Sequence, residues 1–191
     1  MSVAEKMTAI CDAIREKTGY KGPMGLDEMA TEIDEISSGE RDINPEWTNW
    51  SYFCQYRDSL AAKLKYSDTS NGTNFSNMFR DCKKLTSIPA LDTSNGTNFS
   101  NMFYACSELT SIPALDTSKG TGFSNMFSNC SALTTIPALD TSKGTGFPYM
   151  FYECGRLTTI PALDTSNGTN FSYMFGLCSA LTTIPALDTS N

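Results

Sequence analysis

Six aspartates of this chain recur at one spacing, because most of the sequence repeats every 24 residues. The repeated aspartates are Asp68, Asp92, Asp116, Asp140, Asp164 and Asp188. Carboxylate oxygens are ligands that Ca²⁺ prefers, so a column of them could hold calcium between turns. Each full copy, however, reads Asp-Thr-Ser-x-Gly, in which Asp and Ser bond their own backbone and glycine suits the turn. The sequence therefore favours turn-capping carboxylates and predicts no metal site.

Five cysteines recur at the same 24-residue interval as the aspartates. The repeated cysteines are Cys82, Cys106, Cys130, Cys154 and Cys178. In a stack of repeats their side chains all point the same way, which is typical of a row of small buried residues with reduced thiols rather than of disulfides. Zinc is not expected either, because no cysteine pair has C-x2-C spacing and histidine is absent.

Hydroxyl side chains form two further files. The first file is Thr86, Thr110, Thr134, Thr158 and Thr182, and the second is Ser87, Ser111, Thr135, Thr159 and Thr183. Such a flat, regular array could bind a polysaccharide or order water as ice-binding faces do. Alternatively, β-branched polar residues simply suit the exposed face of a sheet.

The copies differ mainly on either side of the cysteine. The candidate partner-binding residues there are Arg80, Lys83, Lys84, Tyr104, Glu108, Tyr152, Glu153 and Arg156. Tyrosine and arginine are the residues that interfaces use as anchors, so this variable strip is the candidate surface for a specific partner. The alternative is drift at tolerant exposed positions.

Catalysis is not expected. The chain has no histidine, no Gly-rich phosphate loop, no nucleophile elbow and no carboxylate pair outside the repeat. No catalytic residue and no cofactor are predicted.

The elements that position these residues follow from the repeat. Copies begin at Leu85, Leu109, Leu133 and Leu157, and a shortened copy begins at Leu181. The apolar spacing over residues 99–106 predicts a helix of about two turns, and Pro148 fits the first turn of the equivalent helix. Residues 109–112 read as a short strand that Pro113 ends. The fold class predicted is α/β, a leucine-rich-repeat solenoid with a short parallel strand, a turn and a short helix per repeat.

The rest of the chain reads as a separate module. Residues 1–38 have the apolar periodicity of a two-helix hairpin, and residues 39–48 read as a polar connector. The repeat region then spans 49–191, beginning with a degenerate capping repeat at 49–72. Because the last repeat leaves apolar positions uncovered, we expect self-association through that repeat or through the N-terminal helices.

Charge and hydropathy restrict the partners. The 191 residues hold 14 basic and 21 acidic side chains, a net charge of −7. Phosphate recognition needs clustered Lys and Arg, so neither nucleic acid nor an anionic membrane is expected as a partner. No run reaches the roughly 18 apolar residues of a membrane span. The first residues lack the apolar segment of a signal peptide, which predicts a product that is cytoplasmic as synthesised.

Two resemblances accompany these patterns. The phrase Met-Phe-x-x-Cys-x-x-Leu-Thr-x-Ile-Pro, over residues 73–191, resembles the BspA-like leucine-rich repeats of bacterial surface and phage proteins. Residues 7–30 resemble an N-terminal module of tail-associated proteins from phages and prophages of Gram-positive bacteria. Together the resemblances imply binding and adhesion.

The functional hypothesis is a non-enzymatic binding protein, encoded by a phage or prophage, that recognises a protein or glycan on a host surface and is virion-associated. One alternative is an intracellular protein–protein interaction module or an inhibitor of a host factor. A second alternative is a bacterial surface adhesin.

Overall fold

The structure, a computed structural model, describes residues 48–51, 53–55 and 68–190. The chain divides into two compact units. The first comprises Met1–Pro45 and Tyr66–Asp68, and the second comprises Glu46–Lys65 and Thr69–Asn191. The predicted helical hairpin at 1–38 lies outside the described residues, as does the predicted connector except for its last residue. Apart from Asp68, every described residue belongs to the second unit.

The described part of the chain contains no helix and no continuous strand. It is a stack of 24-residue coils, each built from consecutive tight turns. Isolated parallel bridges join one coil to the next at Asn49–Asn74, Asn74–Asn98, Asn98–Gly122, Gly122–Gly146 and Gly146–Asn170. The predicted α/β leucine-rich-repeat architecture is therefore wrong for these residues.

The helix predicted at 99–106 is absent because its N–H groups alternate between two kinds of partner. Met102 donates to the Phe99 carbonyl three residues back, at 3.1 Å, which closes a tight turn. Phe103 instead donates to the Met126 carbonyl of the next coil, at 2.9 Å. An α-helix would need the Phe103 N–H to bond the Phe99 carbonyl, so the contact between coils excludes it.

Two residues per coil adopt left-handed backbone angles, which also interrupt a helix. In the second full coil they are Asn101, with φ of 56°, and Ala105, with φ of 57°. Helical residues have φ near about −63°. A positive φ at the third residue of a four-residue turn is instead a property of type II turns. Pro148 follows the same rule, because it is the second residue of the turn that the Met150 N–H closes on the Phe147 carbonyl.

The strand predicted at 109–112 is absent for lack of a hydrogen-bond ladder. The Thr110 N–H donates to the Thr86 carbonyl of the preceding coil at 3.3 Å, and the Thr134 N–H to the Thr110 carbonyl at 3.4 Å. A parallel ladder needs evenly spaced bonds along both strands. One long bond per coil therefore holds these segments side by side without making a sheet.

Two columns of phenylalanine rings fill the core. The first column is Phe75, Phe99, Phe123, Phe147 and Phe171, with centroids of successive rings 5.7–5.9 Å apart. The second is Phe79, Phe103, Phe127, Phe151 and Phe175, with centroids 5.4–5.6 Å apart. Most of these rings are fully buried, and burying such a side chain contributes about 1.5–3 kcal/mol. Buried methionines, leucines and isoleucines at equivalent positions complete the core.

The first coil carries a tryptophan at the head of the first aromatic column. The Trp50 N–H donates to the Asn74 carbonyl at 2.7 Å, as the Phe75 N–H donates to the Asn98 carbonyl in the next coil. The Cys54 N–H donates to the Met78 carbonyl at 2.8 Å. Residues 49–51 and 53–55 thus join the stack with the bonding pattern of later repeats, despite their divergent sequence.

The described cysteines are reduced, and all but Cys178 are buried, as the sequence predicts. From Cys82 onwards each thiol bonds the backbone of the preceding coil. Cys106 Sγ lies 3.0 Å from the Phe79 carbonyl oxygen, and Cys130 Sγ lies 3.0 Å from that of Phe103. Burial raises the pKa of the Cys130 and Cys154 thiols. These cysteines are therefore structural and poorly reactive.

A buried threonine column and an exposed aspartate column hold the turns. The Thr117 hydroxyl donates to the Asp140 carbonyl of the next coil at 2.8 Å. The Asp140 carboxylate accepts bonds from the Ser142 N–H at 3.0 Å and from the Ser142 hydroxyl at 2.6 Å. These bonds lower the pKa of Asp140. The prediction that the aspartates cap turns is confirmed.

Glycine at position 120 is required by the approach of a core ring. A Cβ placed on Gly120 would lie 2.6 Å from Phe123 Cζ and 2.9 Å from the Thr117 carbonyl oxygen. We predict that Gly120→Ala lowers the free energy of unfolding by about 1–3 kcal/mol, because the buried ring must shift. Urea denaturation measures the change. Gly146→Ala is the matched control, since its Cβ would meet only Pro148 Cδ, at 3.6 Å. Equal urea midpoints for the two variants would contradict this account.

The buried thiols predict a loss of stability in alkaline solution. Above their ordinary pKa of 9.0 the thiols ionise in the unfolded chain, whereas burial keeps Cys130 and Cys154 protonated in the fold. The unfolded chain then binds fewer protons, so their contribution is complete below pH 9 and falls by about 1.4 kcal/mol per pH unit per thiol above it. Urea denaturation in reductant from pH 8 to 10 tests this. The fall of the unfolding free energy with pH should be shallower for the Cys130→Ala/Cys154→Ala variant than for the wild type. An identical fall would show that these two thiols are not the groups responsible.

Candidate functional site

The variable strip predicted from the sequence comprises two clusters of side chains in the structure. The first cluster contains Arg80 and Tyr104, which occupy equivalent positions in adjacent coils. The Arg80 guanidinium carbon lies 4.8 Å from the centroid of the Tyr104 ring, a cation–π contact. Arg80 Nε also lies 3.3 Å from Asp81 Oδ2. The chain's own residues therefore already satisfy this arginine.

The remaining predicted residues of the strip lie at exposed or half-exposed positions. Lys83, Lys84, Glu108 and Arg156 are exposed, and Glu153 is half-buried. Between the two clusters the chain carries small polar groups: Ser128 is buried, and the Asn129 amide donates to its hydroxyl at 3.0 Å. The strip is thus divided rather than continuous.

The second cluster consists of three tyrosines, Tyr149, Tyr152 and Tyr173, and we name it the tyrosine cluster. The Tyr149 and Tyr173 rings stack nearly parallel, at 11°, with centroids 5.1 Å apart. The Tyr152 ring stands almost perpendicular to them, at 75° to Tyr149 and 85° to Tyr173. The residue exposures of Tyr149 and Tyr173 are 36% and 65%. Aromatic surface of this kind is a feature of binding sites.

Sequence reasoning identified Tyr152 but missed Tyr149 and Tyr173. A signal existed: the equivalent position is asparagine in the three preceding full coils, at Asn77, Asn101 and Asn125. Tyrosine replaces asparagine in two consecutive coils, and residues 24 apart lie on one another. Comparison of that position between successive coils would have paired the two rings.

Both of these tyrosines hold a backbone conformation that tyrosine disfavours. Their φ angles are 56° at Tyr149 and 54° at Tyr173. Asparagine tolerates left-handed angles, whereas a bulky side chain there is disfavoured by about 1–2 kcal/mol. The repeat's asparagine is therefore the residue that the backbone prefers. Strained residues of this kind cluster at functional sites.

Neighbouring residues accommodate the three rings. A Cβ on Gly176 would lie 2.8 Å from the Tyr152 ring, so only glycine admits that ring. Pro148 needs no acceptor for an N–H, whereas the backbone N–H groups of Ser76, Ser100 and Ser172 each donate to an asparagine side chain at 3.0 Å. That asparagine is replaced by Gly146 in the coil of Pro148, as it is by Gly122 in the preceding coil.

A carboxylate accompanies the rings. Partial burial raises the pKa of Tyr152, and the neighbouring charge of Glu153 raises the pKa further. The tyrosine cluster therefore combines aromatic faces with one negative charge.

The first hydroxyl file is exposed along the stack, as is the second. Within it, the hydroxyls of Thr110 and Thr158 donate to the backbone carbonyls of Thr86 and Thr134 at 3.3 Å. Thr134 makes the same bond to Thr110 at 3.5 Å. These hydroxyl protons are engaged with the preceding coil, so this file presents oxygen acceptors rather than free donors.

Neither a metal site nor a membrane span distinguishes the described residues. They contain no group of three or more Cys, Asp or Glu side chains that could hold a metal ion. No helix long and apolar enough to cross a membrane occurs among them.

The repeat region of the chain matches a protein family. A sequence model described as Mycoplasma protein of unknown function, DUF285, matches residues 45–135 and 110–191. The chain belongs to this family. DUF285 is associated with BspA-like repeat proteins, which confirms the coarse part of the resemblance. No curated protein and no solved structure matches the chain, and no comparison supports a link to phage tails.

Proposed function

We propose that this DUF285 protein is a non-enzymatic binding protein that recognises a protein or glycan on a cell surface through the tyrosine cluster. The observation that carries the proposal is the placement of Tyr149 and Tyr173 at left-handed positions. Folding alone favours asparagine there, which the three preceding full coils have. Exposed aromatic residues held against the backbone preference are explained by a ligand that contacts them.

The stack supports such a role because it supplies a rigid platform. Aromatic columns and bonds between coils fix the positions of successive surface residues, so the rings are held before any ligand arrives. Preorganised anchors lower the entropy lost on binding. The association of the family with BspA-like repeat proteins agrees with a surface-recognition role.

Further parts of the proposal concern the setting of the protein. Residues 1–38 would attach the chain to a larger assembly, and self-association would raise the avidity of the repeated surface. The alternative function is an intracellular interaction module that inhibits a host factor. The two differ in where the ligand resides, so one binding experiment separates them.

Binding should depend on the two tyrosines that depart from the repeat. We predict that the Tyr149→Asn/Tyr173→Asn variant loses at least about tenfold in affinity for bacterial envelope fragments, since anchor residues contribute about 2 kcal/mol or more. Pull-down of the tagged full chain from envelope fragments and from clarified lysate measures this loss. Lys119→Asn/Lys143→Asn, which also restores the repeat's asparagine at exposed sites, is the matched control and should retain binding.

The fold of the tyrosine variant must survive for that result to be informative. Two relieved left-handed residues, at about 1–2 kcal/mol each, offset three lost ring contacts, at about 0.5–1.5 kcal/mol each. The variant should therefore unfold at a urea concentration close to that of the wild type. Undiminished envelope binding by this folded variant would refute the proposal, and a stoichiometric complex from lysate alone would favour the intracellular alternative.

A further inference from the structure

We propose, building on the function above, that the tyrosine cluster and Glu153 bind an arginine side chain presented by a protein partner. Three observations support this ligand chemistry. They are an equivalent contact inside the same chain, the arrangement of the rings and the local charge.

The internal contact is that of Arg80 with Tyr104. Tyr104 and Tyr152 occupy the same position two coils apart, and the Arg80 guanidinium lies 4.8 Å from the Tyr104 ring centroid. Arg80 reaches Tyr104 from the neighbouring coil, and the carboxylate of Asp81 holds it at 3.3 Å. A tyrosine at this position, with a carboxylate close to the arginine, thus binds guanidinium within the fold itself.

The tyrosine cluster holds a ring and a carboxylate without the arginine. Glu153 occupies the repeat position of Asp81, but it lies on the coil of the tyrosine, whereas Asp81 lies on the coil of the arginine. Ser128 and Gly176, which are equivalent to Arg80 on the coils either side of Tyr152, carry no charge. Neither of these adjoining coils therefore supplies a guanidinium from that position. A cation from a partner would complete the set of ring, carboxylate and guanidinium.

The ring geometry directs a ligand to the outer surfaces. Tyr149 and Tyr173 lie 5.1 Å apart, which leaves no room for a group between them. Tyr173 has a residue exposure of 65%, so aromatic surface of the pair is accessible. A planar guanidinium stacks on such a face with cation–π attraction.

One carboxylate lies next to the rings in the sequence. Glu153 directly follows Tyr152, and the exposed Arg156 is three residues further on. Desolvation and then the charge of Glu153 raise the pKa of Tyr152, so the carboxylate acts on that ring. A guanidinium satisfies both the rings and this charge.

A neutral sugar would find fewer partners at the same place. Three residues without a polar side-chain group adjoin the cluster, either in the sequence or in the neighbouring coil. They are Pro148, Gly176 and Leu177. The Glu153 N–H bonds the Gly176 carbonyl at 2.8 Å, which places Leu177 in the coil beside it. Sugar hydroxyls would thus find the tyrosine hydroxyls and the Glu153 carboxylate but no polar group on these three residues, whereas Leu177, with a residue exposure of 65%, suits the apolar stem of arginine.

The experiment titrates the full chain, with its tyrosine rings isotopically labelled, with four probes and follows the ring resonances by NMR. The probes are a capped peptide with two arginines, the same peptide with neutral citrulline, tetramethylammonium, and an oligomer of N-acetylglucosamine. We expect the arginine peptide to shift the Tyr149, Tyr152 and Tyr173 resonances, and the citrulline peptide to bind about tenfold more weakly. Added salt should weaken binding of the arginine peptide.

Variants separate this inference from the function on which it rests. Glu153→Gln should weaken binding of the arginine peptide severalfold, and Tyr149→Asn/Tyr173→Asn should abolish its effect, whereas Lys119→Asn should leave it unchanged. Equal binding of the arginine and citrulline peptides would overturn the inference, as would tighter binding of tetramethylammonium. If the sugar oligomer alone shifts these resonances, the inference fails while the tyrosine cluster stands as a binding site. If the tyrosine variant loses envelope binding but the arginine peptide shifts no tyrosine resonance of the wild type, the inference likewise fails while the tyrosine cluster stands as a binding site.

Discussion

Alternation of backbone hydrogen bonds between two directions is the constraint on which the rest of this structure depends. In residues 75–82 and their equivalents, one N–H closes a turn within its coil and the next donates to a carbonyl of the following coil. Every second residue is therefore tied to a residue 23 positions later. A change in the length of one coil would misalign these bonds, which explains why the period is kept at 24 residues.

Because neighbouring coils are in strict register, a residue lies next to the residue at the same position of the next coil. The phenylalanines stack at a constant separation, the cysteine thiols bond the preceding backbone, and the buried threonines bond the following one. Each contact is modest, but it is repeated in every coil. Stability of such a stack is a sum of interactions between neighbouring coils. Surface residues are freer to differ, and it is there that the tyrosines replace asparagine.

Part of this architecture could be predicted from the sequence. The period, the buried apolar positions, the reduced cysteines and the aspartate-capped turns all follow from residue types at fixed intervals. The predicted helix failed because the spacing of Phe99, Met102 and Phe103 suits consecutive tight turns as well as a helix. Apolar spacing reports which side chains are buried, whereas the choice between the two backbones depends on bonds to a neighbouring coil. Asn101, at a position rich in asparagine, was the local sign of a left-handed turn residue.

Part of the candidate site could also be predicted from the sequence. Comparison of each copy with its neighbours along the chain identified Arg80, Tyr104 and Tyr152, because they differ from the residues at the same position. It was not applied to the position of Tyr149 and Tyr173, where the same comparison with Asn77, Asn101 and Asn125 marks both residues; that their rings stack is known only from the structure.

Backbone angles in the protein in solution test the central claim most directly. NMR measurement of the φ angles of Asn101 and Ala105, from amide–Hα couplings and intraresidue cross-peaks, would report the turn conformation. The account predicts positive φ at both residues and slow amide exchange at Phe103, whose N–H is bonded to the next coil. Negative, helical φ at both, with continuous helical shifts over residues 99–106, would contradict it.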